Sequence, residues 1–343
     1  MAEAAAPRSA TSKSANLALQ GGGSHGAFTW GVLDALLEDG RVEFEGASGT
    51  SAGAMNAVVL AHALARAHAD GLRGPDQRAA ARSALARFWD GVGLMGTFMA
   101  GVPLPAAQAF GAWFGQWFSP YQTNPLGLNP LRTLLQREVD FELLAHQRQM
   151  KVFVTATNIR TGRGEVFSGK QLSCSAVMAS ACLPTLFQAV EIDGEPYWDG
   201  GYSGNPTITP LVRECSSRDT ILVQINPVER PGTPRSARDI LNRLNEVSFN
   251  AVLLKELRMI ALLRRMASDC HDEAAAWANM RIHRVSSTKL LELGYSSKLN
   301  AEWDFLTMLR EEGRQAAGAF LAQHGDTLGR RSSLDLDQLL EGV

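Results

Sequence analysis

The chain has 343 residues, 45% hydrophobic and 20% charged, which is enough apolar material for a full core and excludes a disordered protein. Its 33 Lys and Arg against 35 Asp and Glu give a net charge of −2 with no basic block, so an extended phosphate-binding surface is excluded and nucleic acid is not an expected partner. Four cysteines, Cys174, Cys182, Cys215 and Cys270, lack C-x-x-C spacing and are too few for a disulfide scaffold or a zinc site. They read as reduced, mostly buried thiols, and no metal or cofactor is expected.

Residues 1–15, rich in Ala and Ser with Arg8 and Lys13, read as a disordered tail without a signal-peptide core. No apolar run of about 18 residues escapes Pro or Gly, so a spanning helix is not expected. The expected location is the cytoplasm, with peripheral contact at the inner face of the membrane.

Asn16 to Gln20 reads as a buried strand that stops at Gly21-Gly22-Gly23. Phe28, Val32, Ala35 and Leu36 then recur at helical spacing, and Asp39-Gly40 ends the helix. Val42 to Ala47 is extended and leads into Gly49-Thr50-Ser51-Ala52-Gly53, after which Ala54 to Ala69 is helical. Strand, glycine turn, helix, repeated, is the opening of a parallel α/β sheet.

From Gly91 to Leu131 no residue is charged, and Phe98, Phe110, Trp113, Phe114, Trp117 and Phe118 crowd into the stretch. Pro103, Pro105 and the glycines from Gly91 to Gly111 predict a broken helix, hence a folded insertion or cap rather than a membrane span. Strands are predicted at Lys151 to Thr157 and Glu165 to Ser168, and a helix at Ser173 to Cys182. Val190-Glu191-Ile192 and Pro196-Tyr197-Trp198 flank an Asp193-Gly194 hairpin turn, closed by Asp199-Gly200-Gly201. Ile221 to Ile225 is one more strand. Ala237 to Ala267 follows as a long amphipathic helix or a broken pair, and the region beyond Lys289 is again helical.

Three motifs can carry chemistry. Gly49 to Gly53 fits G-x-S-x-G, in which the flanking glycines allow a sharp strand-to-helix turn that exposes Ser51 Oγ at a helix N-terminus. Gly21-Gly22-Gly23-Ser24-His25-Gly26 offers backbone N–H groups to an oxyanion or a phosphate. On the loop alone, a dinucleotide site with Glu43 or Glu45 as the acidic partner, and a tight turn with no ligand, both stay open. Asp199 follows Tyr197-Trp198 at a strand end, where partial burial would raise its basicity; a plain Asp-Gly turn is the alternative. His62, His68, His146, His271, His283 and His324 lie in helical or charged segments, and none is expected to be a general base.

Together these motifs, their order, the Ala179-Ser180-Ala181-Cys182-Leu183-Pro184 turn and Asn205-Pro206 resemble the patatin-like phospholipase family, over about Leu17 to Asn226. The resemblance implies a three-layer α/β/α sandwich with a mostly parallel central sheet and added helices. It implies a catalytic domain over 16–226 with an apolar insertion at about 91–131, and a helical C-terminal extension, 227–343, packed on it. It further implies a lipid acyl hydrolase of phospholipase A, lysophospholipase or acylglycerol lipase type, working through an acyl-enzyme. Ser51 would be the nucleophile and Asp199 its base. Gly49 and Gly53 would shape the elbow and Gly200 and Gly201 the Asp motif. Gly21, Gly22, Gly23, Ser24 and Gly26 would form the oxyanion loop, with the N–H groups of Gly22 and Gly23 as donors. Trp113, Phe114, Trp117 and Phe118 would touch substrate or membrane. The chain departs from the family pattern at His25, where Arg or Lys is usual, so a fixed positive charge beside the oxyanion is missing from the loop. Against the hydrolase stand an idle lipid-binding or regulatory protein on the same fold, and a dinucleotide-dependent oxidoreductase.

Overall fold

The computed structural model describes residues 12–100, 119–266 and 272–339. Trp113, Phe114, Trp117 and Phe118, like His271 and Cys270, lie outside the described residues.

The first half runs β1 (Lys13–Leu19), α1 (Gly26–Asp39), β2 (Val42–Gly49), α2 (Ala52–Ala69) and α3 (Gly74–Ala100), then the short helices α4 (Pro120–Thr123), α5 (Pro130–Glu138) and α6 (Phe141–His146). The second half runs β3 (Lys151–Asn158), β4 (Gly164–Ser168), α7 (Cys174–Ser180), β5 (Val190–Ile192), β6 (Glu195–Asp199), α8 (Thr209–Glu214) and β7 (Asp219–Val223). It ends with α9 (Ala237–Met266), α10 (Asp272–Ala278), β8 (Arg281–Val285) and α11 (Trp303–His324). The strands form one sheet in the order β5-β6-β3-β2-β1-β7-β8, with β4 also on β3. β3, β2, β1, β7 and β8 are mutually parallel, while β4, β5 and β6 pair antiparallel at one end. This is a mixed α/β fold with a mostly parallel central sheet.

Strand alternation divides the core in two. Leu17 and Leu19 of β1, Val152 and Val154 of β3, and Ile221 and Val223 of β7 face the cluster shared with α1, α2, α3 and α11. Their neighbours Ala18, Phe153 and Leu222 face the opposite cluster, with Leu211 of α8, Leu253 and Leu257 of α9, and Trp277 of α10. Helices therefore cover both faces of the sheet. On one of them buried Asp34 ties α1 to α3 and α11 by ion pairs with Arg82 (2.6 Å), Arg310 (2.9 Å) and Arg314.

Three features depart from the sequence expectations. β1 begins at Lys13, inside the predicted tail, because Lys13 to Ala15 pair with Val42 to Phe44 of β2. The glycine-rich start of the predicted insertion continues α3 through Ala100. Its glycines are contact points: a Cβ at Gly91 would meet Leu134, at Gly93 Trp303 and at Gly96 Ala301, so close packing outweighs a propensity loss of about 1 kcal/mol per glycine. The C-terminal extension is not only helical, since β8 joins the sheet beside β7. Elsewhere α9 is continuous, and the Asp193-Gly194 turn has the positive φ values (51° and 78°) of a tight hairpin.

Candidate active site

β2 and β6 meet head-on. β2 pairs with β3 as far as Gly49 opposite Val154, and β6 approaches from the other direction, with Asp199 opposite Ala156. β4 occupies Phe153 to Thr157 as well, so β6 continues along the edge of β3 that β2 has left. The register thus delivers the residues just past Gly49 and the end of β6 to one point at the carboxyl end of the parallel strands.

At that point β2 turns into α2. Gly49 and Gly53 touch across the turn, since a Cβ on Gly49 would lie 2.6 Å from Gly53 C and one on Gly53 would strike the Leu19 carbonyl. Ser51 between them has φ 53° and ψ −122°, a left-handed backbone that strains a non-glycine residue by about 1–3 kcal/mol. Its side chain sits at the N-terminus of an 18-residue helix, where the helix dipole favours developing negative charge. The Ser51 N–H donates to Ser180 Oγ at 2.9 Å.

The Ser51 side chain lies close enough to the Asp199 carboxylate to favour its ionised form, and Asp199 is 1% exposed. Its Oδ1 accepts the Gly201 N–H at 2.7 Å. Gly200 lies so close to the Thr155 carbonyl, and Gly201 to the Phe249 ring, that neither can carry a side chain. Burial pushes the Asp199 carboxyl up to about 7; the Gly201 hydrogen bond, the nearby Ser51 hydroxyl and the positive charge of Lys298 oppose that rise. The burial comes from packing around the Asp199 turn more than from Trp198, which strand alternation turns outward and leaves 36% exposed.

The glycine loop passes directly over the elbow, where a Cβ on Gly21 would be 2.7 Å from Ser51 Cβ. The loop residues divide their backbone groups. Gly21 N–H donates to Asn205 Oδ1 at 2.6 Å, His25 N–H to Gly22 O at 3.3 Å, and Gly26 N–H to Gly23 O and Ser24 O. Gly21 and Gly26 are therefore unavailable as oxyanion donors; Gly26 serves the close approach of Ala52 and Trp89 instead. The N–H groups of Gly22 and Gly23 have no partner among the described residues. Ser24 is buried within the short 3-10 turn Gly23–His25.

A buried amide web holds the loop. Gln20 Oε1 accepts the N–H groups of Ile225 and Asn226 (both 2.9 Å), and its Nε2 donates to Asn205 O (3.2 Å) and Asn250 Oδ1 (3.0 Å). Asn226 Nδ2 donates to Gly21 O at 2.7 Å, and Lys298 Nζ donates to Asn226 Oδ1 at 2.8 Å. The sequence reading gave no role to Ser180, Gln20, Asn205, Asn226, Asn250 or Lys298. The signal for Gln20 and Asn226 was an amide directly after an apolar strand; for Lys298 there was none.

His25 is buried with Nε2 2.8 Å from Ser297 Oγ, and burial, helped by Lys298 and Arg230, lowers it to about 3. It is neutral at physiological pH. His283 lies at the opposite end of the sheet, its Nε2 2.9 Å from Asp219 Oδ1, and Nδ1 3.3 Å from Ser333 Oγ. That serine-histidine-aspartate line fastens the C-terminal segment to β7 and β8, with Arg281 also on Asp219. Cys174, Cys182 and Cys215 are buried free thiols. Among the described residues no three His, Cys, Asp or Glu side chains converge as a metal site, and no helix is long and apolar enough to cross a membrane.

The family model described as patatin-like phospholipase matches residues 17–212, more than half of the chain, and the chain belongs to that family. No curated protein matches it. Among solved structures, VipD from Legionella pneumophila is similar at 15% identity, covering 96% of this chain and 79% of its own, with a TM-score of 0.32.

Proposed function

We propose that the chain is a lipid acyl hydrolase that cleaves carboxylic esters of phospholipase A, lysophospholipase or acylglycerol type. Ser51 is the nucleophile and Asp199 its base. The observation that carries the reading is the meeting of the Ser51 elbow at the end of β2 with a buried Asp199 carboxylate at the end of β6. A serine hydroxyl attacks an ester only when a base in contact takes its proton. Asp199, with its pKa raised to about 7, is a far stronger base than an ordinary carboxylate. As Ser51 Oγ bonds to the ester carbon, its proton passes to Asp199 and the carbonyl oxygen becomes an oxyanion, which the N–H groups of Gly22 and Gly23 stabilise by about 3 kcal/mol per donor. Collapse expels the alcohol, which leaves with the proton from Asp199. Water then repeats the sequence on the acyl-enzyme and frees the fatty acid and Ser51.

In this reading residues 16–226 carry the chemistry and 227–343 close it in through α9 and Lys298. Contact with a lipid surface is supported by the outer face of α9. Ile240, Leu244, Val247, Met259, Leu262 and Met266 are exposed there at helical spacing, with Lys255 among them and no carboxylate in the stripe. The inner face of the same helix places Phe249 against Gly201 and Asn250 against Gln20, so the helix that carries the stripe also packs on the site.

The test is hydrolysis of a short-chain chromogenic ester and of phospholipid vesicles by the wild type, Ser51→Ala, Asp199→Ala and the double variant. Either single change is expected to abolish turnover, and the double variant to be no slower, because the two residues act as one unit. A folded wild type inactive on every ester offered would overturn the reading and leave a lipid-binding protein on this fold, and a single variant near wild-type rate would overturn the assignment of Ser51 and Asp199.

A further inference from the structure

Lys298 reaches the site from beyond the matched segment, on the short 3-10 turn Tyr295–Leu299. Its ammonium donates to Asn226 Oδ1 and Asn245 Oδ1, each at 2.8 Å, and stands 5.4 Å from the centre of the Phe249 ring. Both directions lead to the proposed dyad. Asn226 holds the Gly21 carbonyl at 2.7 Å, and Gly21 packs on the Thr50–Ser51 backbone. Phe249 packs on Gly201, whose N–H holds Asp199. The Lys298 carbonyl also closes on Gly23, which at φ 58° has no room for a side chain.

We propose that Lys298 is a positioning residue for the ester hydrolysis: through Asn226 and Phe249 it clamps the glycine loop to the Asp199 turn and places a positive charge beside that turn. The inference rests on the Ser51–Asp199 reading above. His25, the loop's own titratable side chain, is neutral and brings no charge. The charged groups that act on Lys298 are Glu246, Asp199 and Arg230, and Glu246 is itself shared between Arg230 (2.7 Å) and Arg243 (3.3 Å). Asp199 feels Lys298, Ser51 and the Gly201 N–H, and lies near the Cys182 thiol, which burial and the Asp199 charge push up to about 12. The coupling is mutual. Lys298 draws the Asp199 carboxyl down while Asp199 draws the Lys298 ammonium up, each against its own desolvation.

The test is the pH profile of kcat/KM on a short-chain ester for the wild type, Lys298→Met, Lys298→Arg and Asn245→Ala, with a thermal melt of each. Removing the charge makes Asp199 harder to ionise, so the acid limb of Lys298→Met is expected to move up by about half a pH unit or more, about a threefold loss on the acid side. Lys298→Arg keeps the charge and is expected to keep the limb. Asn245→Ala frees one anchor of Nζ and is expected to shift the limb in the same direction by less. An unmoved limb in Lys298→Met, with rate lost only in step with the melting temperature, would make Lys298 a packing residue and overturn the proposal. Should Lys298→Met fail to fold, Asn245→Ala decides: a shift supports the proposal and an unmoved limb overturns it. Absence of wild-type esterase activity would defeat the hydrolase reading itself, a result distinct from an active enzyme with an unmoved limb.

Discussion

Asn205 grips Gly21 by both of its backbone groups, accepting its N–H at 2.6 Å and donating to its carbonyl at 3.3 Å. A buried amide at the end of one long connection thus fixes a glycine loop 184 residues away, on which Ser51 depends for its surroundings.

Asn205→Ala strands the buried N–H of Gly21. We expect a stability loss of about 1–3 kcal/mol and, because Gly22 and Gly23 lose their anchor, a fall in kcat of about tenfold or more with KM for a short ester little changed. Chemical denaturation and steady-state kinetics measure the two. An unchanged kcat in a folded variant would show that the loop holds its shape without this grip.

The Asp199 carboxyl, raised to about 7 by burial, must be ionised to act as a base. Activity is therefore expected to rise with pH along an acid limb near 7. The same shift works against stability. The folded state holds the proton more tightly than the unfolded chain, so stability falls as the pH rises from the ordinary value of 3.8 to about 7. Asp199→Asn is expected to be inactive yet to melt higher than the wild type at pH 8, the gain shrinking at pH 5. Melting curves at the two pH values check this, and a variant less stable at pH 8 would contradict it.

Asp219 is the opposite case. Hydrogen bonds from His283, Arg281 and the Gly329 N–H, with the Arg281 charge, hold its carboxyl well below the ordinary value of 3.8 despite burial. Its contribution is fully present above that value and is lost as the pH falls below it. Asp219→Asn is expected to cost about 3–5 kcal/mol at neutral pH by leaving the Arg281 charge uncompensated, with acid destabilisation shallower than in the wild type. Urea unfolding at pH 7 and pH 4 measures both. Activity per folded molecule should be unaffected.

Local signals made the first half of the fold readable. The strand, glycine turn and helix units from β1 to α2 are marked by periodicity and by glycines at the turns, and glycines likewise mark the turns that carry Ser51 and Asp199. β8 was hidden because Arg281, His283 and Arg284 give it a polar pattern; Asp219, on the neighbouring strand, pairs with two of the three. The continuation of α3 through Gly91, Gly93 and Gly96 was hidden because contacts with Leu134, Trp303 and Ala301 override local propensity. The web around Gly21 was beyond reach for a related reason. A lone Gln, Asn or Lys has no pattern, and only the pairing of β1 with β7 brings Gln20 and Asn226 together.

The central claim is that Ser51 is an activated nucleophile with Asp199 as its base, and covalent capture tests it most directly. The wild type, Ser51→Ala and Asp199→Ala would be incubated with a long-chain fluorophosphonate, and the adduct counted by intact mass and located by peptide mapping. The account predicts one adduct per wild-type chain, on Ser51, with esterase activity lost in step, none on Ser51→Ala, and labelling of Asp199→Ala slowed by a hundredfold or more, on the order of a general-base contribution. An adduct on another residue, or esterase activity that survives complete labelling of Ser51, would contradict it.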